Sequence, residues 1–138
     1  MKPAEFVKVY DLRTDIPHIQ DIQTATLQTA EYGLKPDHGL FGSDEWWFAI
    51  EEGLIPKLVV DGVISRVYMS GHNDFPEFDV TSDQGKTSWE RLGNDRCYVI
   101  GRRVHLIYVK QQFKVPLKIG RGRQLTESSV VLEIWVEG

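Results

Sequence analysis

The sequence GLFGSDEWWFAIEEGLIPKLVVDGVISRVYMSGHNDFPEF, which runs from Gly39 to Phe78, contains the strongest structural signals of the chain. It predicts a short helix with two adjacent tryptophans, then a tight hairpin, then a polar loop. The helix should begin after Ser43, whose hydroxyl can accept a hydrogen bond from a free N–H group of the first turn. It should end before Gly53, because glycine tolerates the left-handed backbone that commonly follows a helix. Its large aromatic area predicts that it covers the end of a sheet or barrel.

The hairpin prediction rests on Asp61-Gly62, which lies between two apolar runs. Glycine supplies the positive φ that a type I′ turn requires, so this dipeptide favours a two-residue loop. That register would place Val60 opposite Val63. Both faces next to the turn would then be apolar, and we expect the hairpin to be covered on both sides.

The rest of the chain is mostly β-like. Apolar alternation and apolar runs predict strands at residues 5–12, 78–82, 96–100, 104–110, 113–119 and 130–136. A helix is predicted from residue 16 to about 31, but residues 23–31 are rich in threonine and equally compatible with a strand. Six or seven short strands with one or two helices predict an α+β fold, built on an antiparallel sheet or a small, partly closed β-barrel. The length, 138 residues, predicts a single globular domain.

Charge is strongly segregated along the chain. Residues 1–90 hold 7 Lys and Arg against 16 Asp and Glu, whereas residues 91–123 hold 9 basic residues against one acidic residue. Acidic and basic strands could lie side by side and neutralise each other, since opposite charges often pair across strands. Alternatively, the basic segment is a surface for a protein partner or for self-association. The candidate partner-binding residues are Arg102, Arg103, Lys114, Lys118, Arg121 and Arg123.

A second set of residues has the chemistry of a small-molecule or metal pocket. The candidate ligand-binding residues are Trp46, Trp47, His72, Asp74 and Glu77. A histidine beside carboxylates can act in acid–base chemistry or bind a metal. The segment has no HExxH motif, however, and Asn73 and Asp74 are also typical of a turn in which side chains bond their own backbone. Both tryptophans are also compatible with the core. We therefore predict no catalytic residue, no metal and no cofactor.

The basic segment also raises the possibility of nucleic-acid binding. Tyr98, Tyr108 and Phe113 lie among the basic residues, and aromatic side chains can stack on bases while cations hold phosphates. A net charge of −4 and an alternation that places Phe113 inward argue against this hypothesis. It ranks third.

The single cysteine, Cys97, excludes an intrachain disulfide and fits a reducing compartment. The N-terminal residues contain no apolar run typical of a signal peptide, and no run of about 18 apolar residues predicts a membrane span. We expect a cytoplasmic protein.

The leading functional hypothesis is a non-enzymatic protein-interaction or binding module. Small acidic domains of this kind occur among inhibitors and toxin-neutralising immunity proteins, a comparison that rests on size and charge. The alternatives are a small-molecule- or metal-binding domain or small enzyme with a pocket near Trp46, Trp47 and His72, and a nucleic-acid-binding sheet that uses residues 91–123.

Overall fold

The structure is a computed structural model that describes residues 5–69, 75–118 and 122–138. Its helices and strands follow one another as β1 (Phe6–Asp11), α1 (Ile16–Gln28), α2 (Asp44–Glu51), β2 (Leu58–Met69), β3 (Pro76–Ser82), β4 (Gly85–Glu90), β5 (Arg103–Lys118) and β6 (Gln124–Glu137). Short 3-10 helices lie at Leu12–Thr14 and Asp95–Cys97. The strands form one antiparallel sheet in the order β1-β6-β5-β2-β3-β4.

The predicted α+β class is therefore confirmed, with six strands and two α-helices among the described residues. The sheet is open, with β1 and β4 as its edges, so the alternative of a partly closed barrel is wrong. The strands are also not uniformly short. β5 has 16 residues and β6 has 14, and together they form the longest pair of the sheet.

The predicted hairpin at Asp61-Gly62 is wrong, because β2 runs through both residues as one strand of 12 residues. Gly62 does not adopt a positive φ. A Cβ atom at Gly62 would overlap the carbonyl oxygen of Thr81 in β3, so glycine here allows two strand backbones to approach closely. The Asp61 carboxylate meets Nδ1 of His105 on β5. Pairing with neighbouring strands has overridden a local turn signal.

The strand predicted at residues 96–100 is also wrong. Asp95–Cys97 is a 3-10 helix, and the Asn94 side chain accepts a hydrogen bond from the Arg96 N–H at 3.1 Å. Tyr98 is buried, and its hydroxyl donates to the Leu92 carbonyl at 2.6 Å. The strands predicted at 104–110 and 113–119 merge into β5; residue 119 lies outside the described residues.

Helix α1 begins as predicted, with the Asp15 carboxylate accepting from the His18 N–H at 3.4 Å. It ends at Gln28, because the capping residue Thr29 is already extended (φ −125°, ψ 151°). Residues 23–28 are therefore helical, and the helix ends about one turn earlier than residue 31. The Lys114 ammonium group donates to the carbonyls of Thr26 and Thr29, which the end of a helix leaves without intrahelical partners.

The chain divides into two compact units. The first contains β1, β3, β4, nearly all of β2 and the parts of β5 and β6 that lie before Tyr108 and after Val131. Its buried core includes Ile64, Phe78, Val80, Val104, Leu106, Ile134 and Val136. The second contains α1, α2 and the remaining parts of β5 and β6. Its buried core includes Leu12, Leu34, Phe41, Trp46, Ile50 and Val109. A single globular domain stays a prediction.

Candidate partner-binding surface

Helix α2 is held at both ends by the residues that the sequence indicated. The Ser43 hydroxyl accepts a hydrogen bond from the Trp46 N–H at 3.3 Å. At the other end, Glu52 caps the helix and Gly53 adopts a φ of 80°. These two caps fix the length of the helix at eight residues.

Trp46 fixes the orientation of the helix. Its side chain is fully buried, and its indole Nε1 donates to Oε1 of Gln111 on β5 at 2.8 Å. The same amide donates from Nε2 to the Lys35 carbonyl at 2.7 Å, and Phe41 packs 4.7 Å from the indole, measured between ring centroids. With Ala49 and Ile50 also buried, one side of α2 is attached to the core of its unit, and the other side faces outward.

The outward side carries an aromatic ring surrounded by acids. Phe48 is 60% exposed, and the residues three and four positions before and after it are Asp44, Glu45, Glu51 and Glu52, all of them exposed. Residues at these spacings are neighbours on a helix, with Cβ atoms roughly 5–6 Å apart. Glu52 keeps near-helical backbone angles (φ −82°, ψ −2°), so this geometry extends to the cap. We call these five residues the acidic–aromatic face.

Among the described residues, Arg13 is a cation that contacts this region. Its guanidinium group donates to Oε1 of Glu51 at 3.0 Å and lies 4.1 Å from the ring centroid of Trp47. Within the described parts of the chain, Asp44, Glu45 and Glu52 form no ion pair. The face therefore presents uncompensated negative charge around an exposed ring.

The candidate ligand-binding residues have different locations. Trp46 and Trp47 lie side by side, with ring centroids 4.8 Å apart, and Trp47 is half-buried beneath Arg13. Glu77 belongs to the other unit, where its Oε1 lies 3.2 Å from the Tyr68 hydroxyl oxygen. His72 and Asp74 lie outside the described residues. In the described parts of the chain, no three His, Cys, Asp or Glu residues are grouped so that they could hold a metal ion.

Asp79, which is not among the candidate ligand-binding residues, is a buried acid at the centre of a hydrogen-bond network. Its side chain is 2% exposed, and Oδ1 accepts from the Ser88 hydroxyl at 2.7 Å and from the Tyr68 hydroxyl at 2.8 Å. The Lys86 ammonium group lies 3.8 Å from Oδ2. Burial raises the pKa of Asp79, but the two hydrogen bonds and the nearby positive charges outweigh it and hold this pKa below its ordinary value. The carboxylate thus joins β2, β3 and β4.

Three of the candidate partner-binding residues have partners inside the fold. Arg103 donates through Nη2 and Nε to Oε2 of Glu137, at 2.8 and 3.2 Å, and these bonds lower the pKa of the Glu137 carboxyl. Arg102 donates to the Cys97 carbonyl at 3.3 Å. Lys114 caps α1, as described above.

Two other basic candidates, Lys118 and Arg123, are exposed at the ends of the β5–β6 pair. They form no ion pair within the residues that the structure describes. Arg121 lies outside those residues. A role of the basic residues in partner binding stays a prediction.

Phe48 is the surface residue that the sequence interpretation missed. That interpretation placed Trp46, Trp47, Ile50 and Leu54 on one side of the helix, yet Leu54 is 62% exposed. The informative pattern was the spacing of acids around Phe48, since a helix brings positions three and four apart together. An aromatic residue with acids at all four positions is readable from sequence once the helix is assigned.

No helix among the described residues is long and apolar enough to cross a membrane.

Comparison with known proteins identifies the family of this chain. No curated protein matches the chain. The family model described as "Immunity protein RhsI2" matches residues 6–137, which run from the first residue of β1 to the last residue of β6. This match supports the predicted inhibitor- or immunity-like, non-enzymatic interaction module with a protein partner. The chain belongs to the RhsI2 immunity protein family.

Proposed function

We propose that this protein neutralises a protein toxin by binding it. The observation that carries the proposal is the family match, which includes every strand and both helices. We propose the cytoplasm as the place of action. The single cysteine supports this location, because proteins of reducing compartments do not depend on disulfides.

Neutralisation by binding has a quantitative consequence. One molecule of the protein occupies one molecule of toxin, so protection requires at least an equal amount of the immunity protein. An enzyme that destroyed the toxin or its product would protect at much lower amounts. The ratio that gives full protection therefore separates a binding mechanism from an enzymatic one.

The test uses a toxin domain that a member of the RhsI2 family neutralises. A bacterial host expresses that domain from one promoter and this chain from a second, adjustable promoter. We expect growth to recover as the chain approaches equimolar amounts, and the purified proteins to form a complex of fixed stoichiometry in native mass spectrometry. An unrelated acidic protein of similar size serves as the control. Failure to protect at any expression level would contradict the proposal, and full protection at a small fraction of the toxin's amount would contradict the binding mechanism.

A further inference from the structure

We propose that the acidic–aromatic face of α2 binds the toxin, and that the toxin presents arginine and lysine side chains to it. The inference rests on the proposed function and adds the surface and the chemistry of its partner. The face combines the exposed ring of Phe48 with four carboxylates at helical neighbour positions.

Fold stability accounts for only part of this arrangement. Asp44 and Glu45 suit the first turn of the helix, where the dipole favours negative charge. Glu51 and Glu52 lie at the opposite end, where the dipole favours cations. Like charges three and four positions apart also repel each other. Phe48 is 60% exposed, so burial in the core does not explain a large aromatic side chain at this position. These features reduce the stability of the isolated helix. A cationic partner that covers them would neutralise the repulsion between the carboxylates.

The chain itself shows how a cation fits this chemistry. Arg13 stacks on Trp47 at 4.1 Å and at the same time donates to the Glu51 carboxylate at 3.0 Å. A planar guanidinium group satisfies an aromatic ring and a carboxylate together, because one surface stacks while the edge donates hydrogen bonds. Phe48 with Glu45 and Glu52 offers the same combination one position along the helix, without an internal cation among the described residues. An arginine of the partner would complete it.

A second copy of this chain is a poorer occupant. Two copies that met through α2 would bring eight carboxylates together, and the cation that pairs with this face among the described residues is Arg13 of each copy. Charge complementarity therefore favours a basic partner over self-association through this face. The aromatic centre and charged rim also match the anatomy of protein interfaces, in which a few large anchors contribute most of the affinity.

The test measures binding kinetics of the purified wild type and its variants with the toxin domain used in the protection experiment. Phe48→Ala should raise Kd by about 30-fold or more, mainly through faster dissociation. Glu45→Gln combined with Glu52→Gln should slow association by about tenfold at low ionic strength, and the difference should shrink as salt rises.

Matched controls lie on α1. Leu27→Ala removes an exposed apolar side chain, and Asp21→Asn removes an exposed carboxylate, and both should leave Kd within about threefold of wild type. The competing surface is tested with Lys118→Glu combined with Arg123→Glu. Urea midpoints for every variant confirm that each one is folded.

Each outcome separates the two proposals. If the wild type neutralises the toxin but the α2 variants bind it within threefold of wild type, the surface inference fails and the proposed function stands. Loss of binding in the Lys118 and Arg123 variant alone would lead to the same conclusion. If the wild type neither binds nor protects, both proposals fail. A wild-type dimer that Phe48→Ala dissociates in sedimentation would show that a second copy occupies the face, and would overturn the inference.

Discussion

Replacing Asp79 with asparagine should destabilise the protein, because the side chain is buried and accepts two hydroxyl hydrogen bonds in its charged form. A hydrogen bond to a charged group contributes about 1.5–3 kcal/mol, and one between neutral groups about 0.5–1.5 kcal/mol. Two bonds weakened in this way cost about 2–3 kcal/mol. Relief from burying a charge offsets part of this loss. We expect a net loss of about 1–2 kcal/mol in the free energy of unfolding.

Urea denaturation at pH 7, followed by tryptophan fluorescence, measures this loss. With an m-value of about 1.5 kcal/mol per molar urea, the midpoint should fall by about 1 M. Asp83→Asn is the matched control, because Asp83 is exposed in the turn that joins β3 and β4. Its midpoint should stay close to that of wild type.

The pH dependence supplies a second readout. The pKa of Asp79 is lowered in the folded protein, so its stabilising contribution is fully present above the unfolded value of about 3.9. It is lost as pH falls through the folded pKa, when both wild type and variant are neutral at this position. The difference between the two midpoints should therefore shrink below about pH 4. An unchanged midpoint at pH 7, or a difference that persists undiminished at pH 2, would refute the reasoning.

Three further predictions concern the same fold. Gly62→Ala should lower the free energy of unfolding by about 2 kcal/mol or more, measured with urea, because the added methyl group overlaps a β3 carbonyl oxygen. Lys114→Met should cost about 1 kcal/mol and speed amide exchange in the last turn of α1, including the Thr29 N–H, because the helix loses the cation at its carbonyl end. Glu137→Gln should reduce the loss of stability that acidification causes. Hydrogen bonds from Arg103 lower the pKa of Glu137, so the ionised carboxylate stabilises the fold above about pH 4.3. This stabilisation disappears as pH falls through the folded pKa. Urea midpoints from pH 2 to 7 measure that effect.

The features that could be predicted from the sequence are those that depend on local chemistry. Ser43 and Gly53 delimit α2 because a cap needs only residues within one turn. Asp15 marks the start of α1 for the same reason. The β-rich α+β class followed from alternation, which depends on the period of a strand and needs no knowledge of its partners.

The wrong predictions concern local structure that is determined by pairing between residues distant in sequence. Asp61-Gly62 has the chemistry of a turn, but the approach of β3 gives Gly62 a different role in the middle of a strand. The counts of basic residues likewise carry no information about partners that are distant in sequence. Arg103 contacts Glu137, 34 positions away, and Lys114 contacts the carbonyls of Thr26 and Thr29, more than 80 positions away. The sequence alone does not distinguish such internally paired cations from a free basic surface, and a role of these residues in partner binding stays a prediction.

The ring of acids around Phe48 also affects encounters with proteins other than the partner. An exposed phenylalanine in a crowded solution invites non-specific association. Here the carboxylates around the ring create a negative potential that repels acidic surfaces. The carboxylates also keep their hydration shell when a neutral surface approaches, which disfavours contact with the ring. At physiological ionic strength the Debye length is about 8 Å, comparable with the spacing of these residues, so the discrimination operates at contact distance. At this distance the carboxylates favour contacts of cationic surfaces with the Phe48 ring and disfavour contacts of acidic ones.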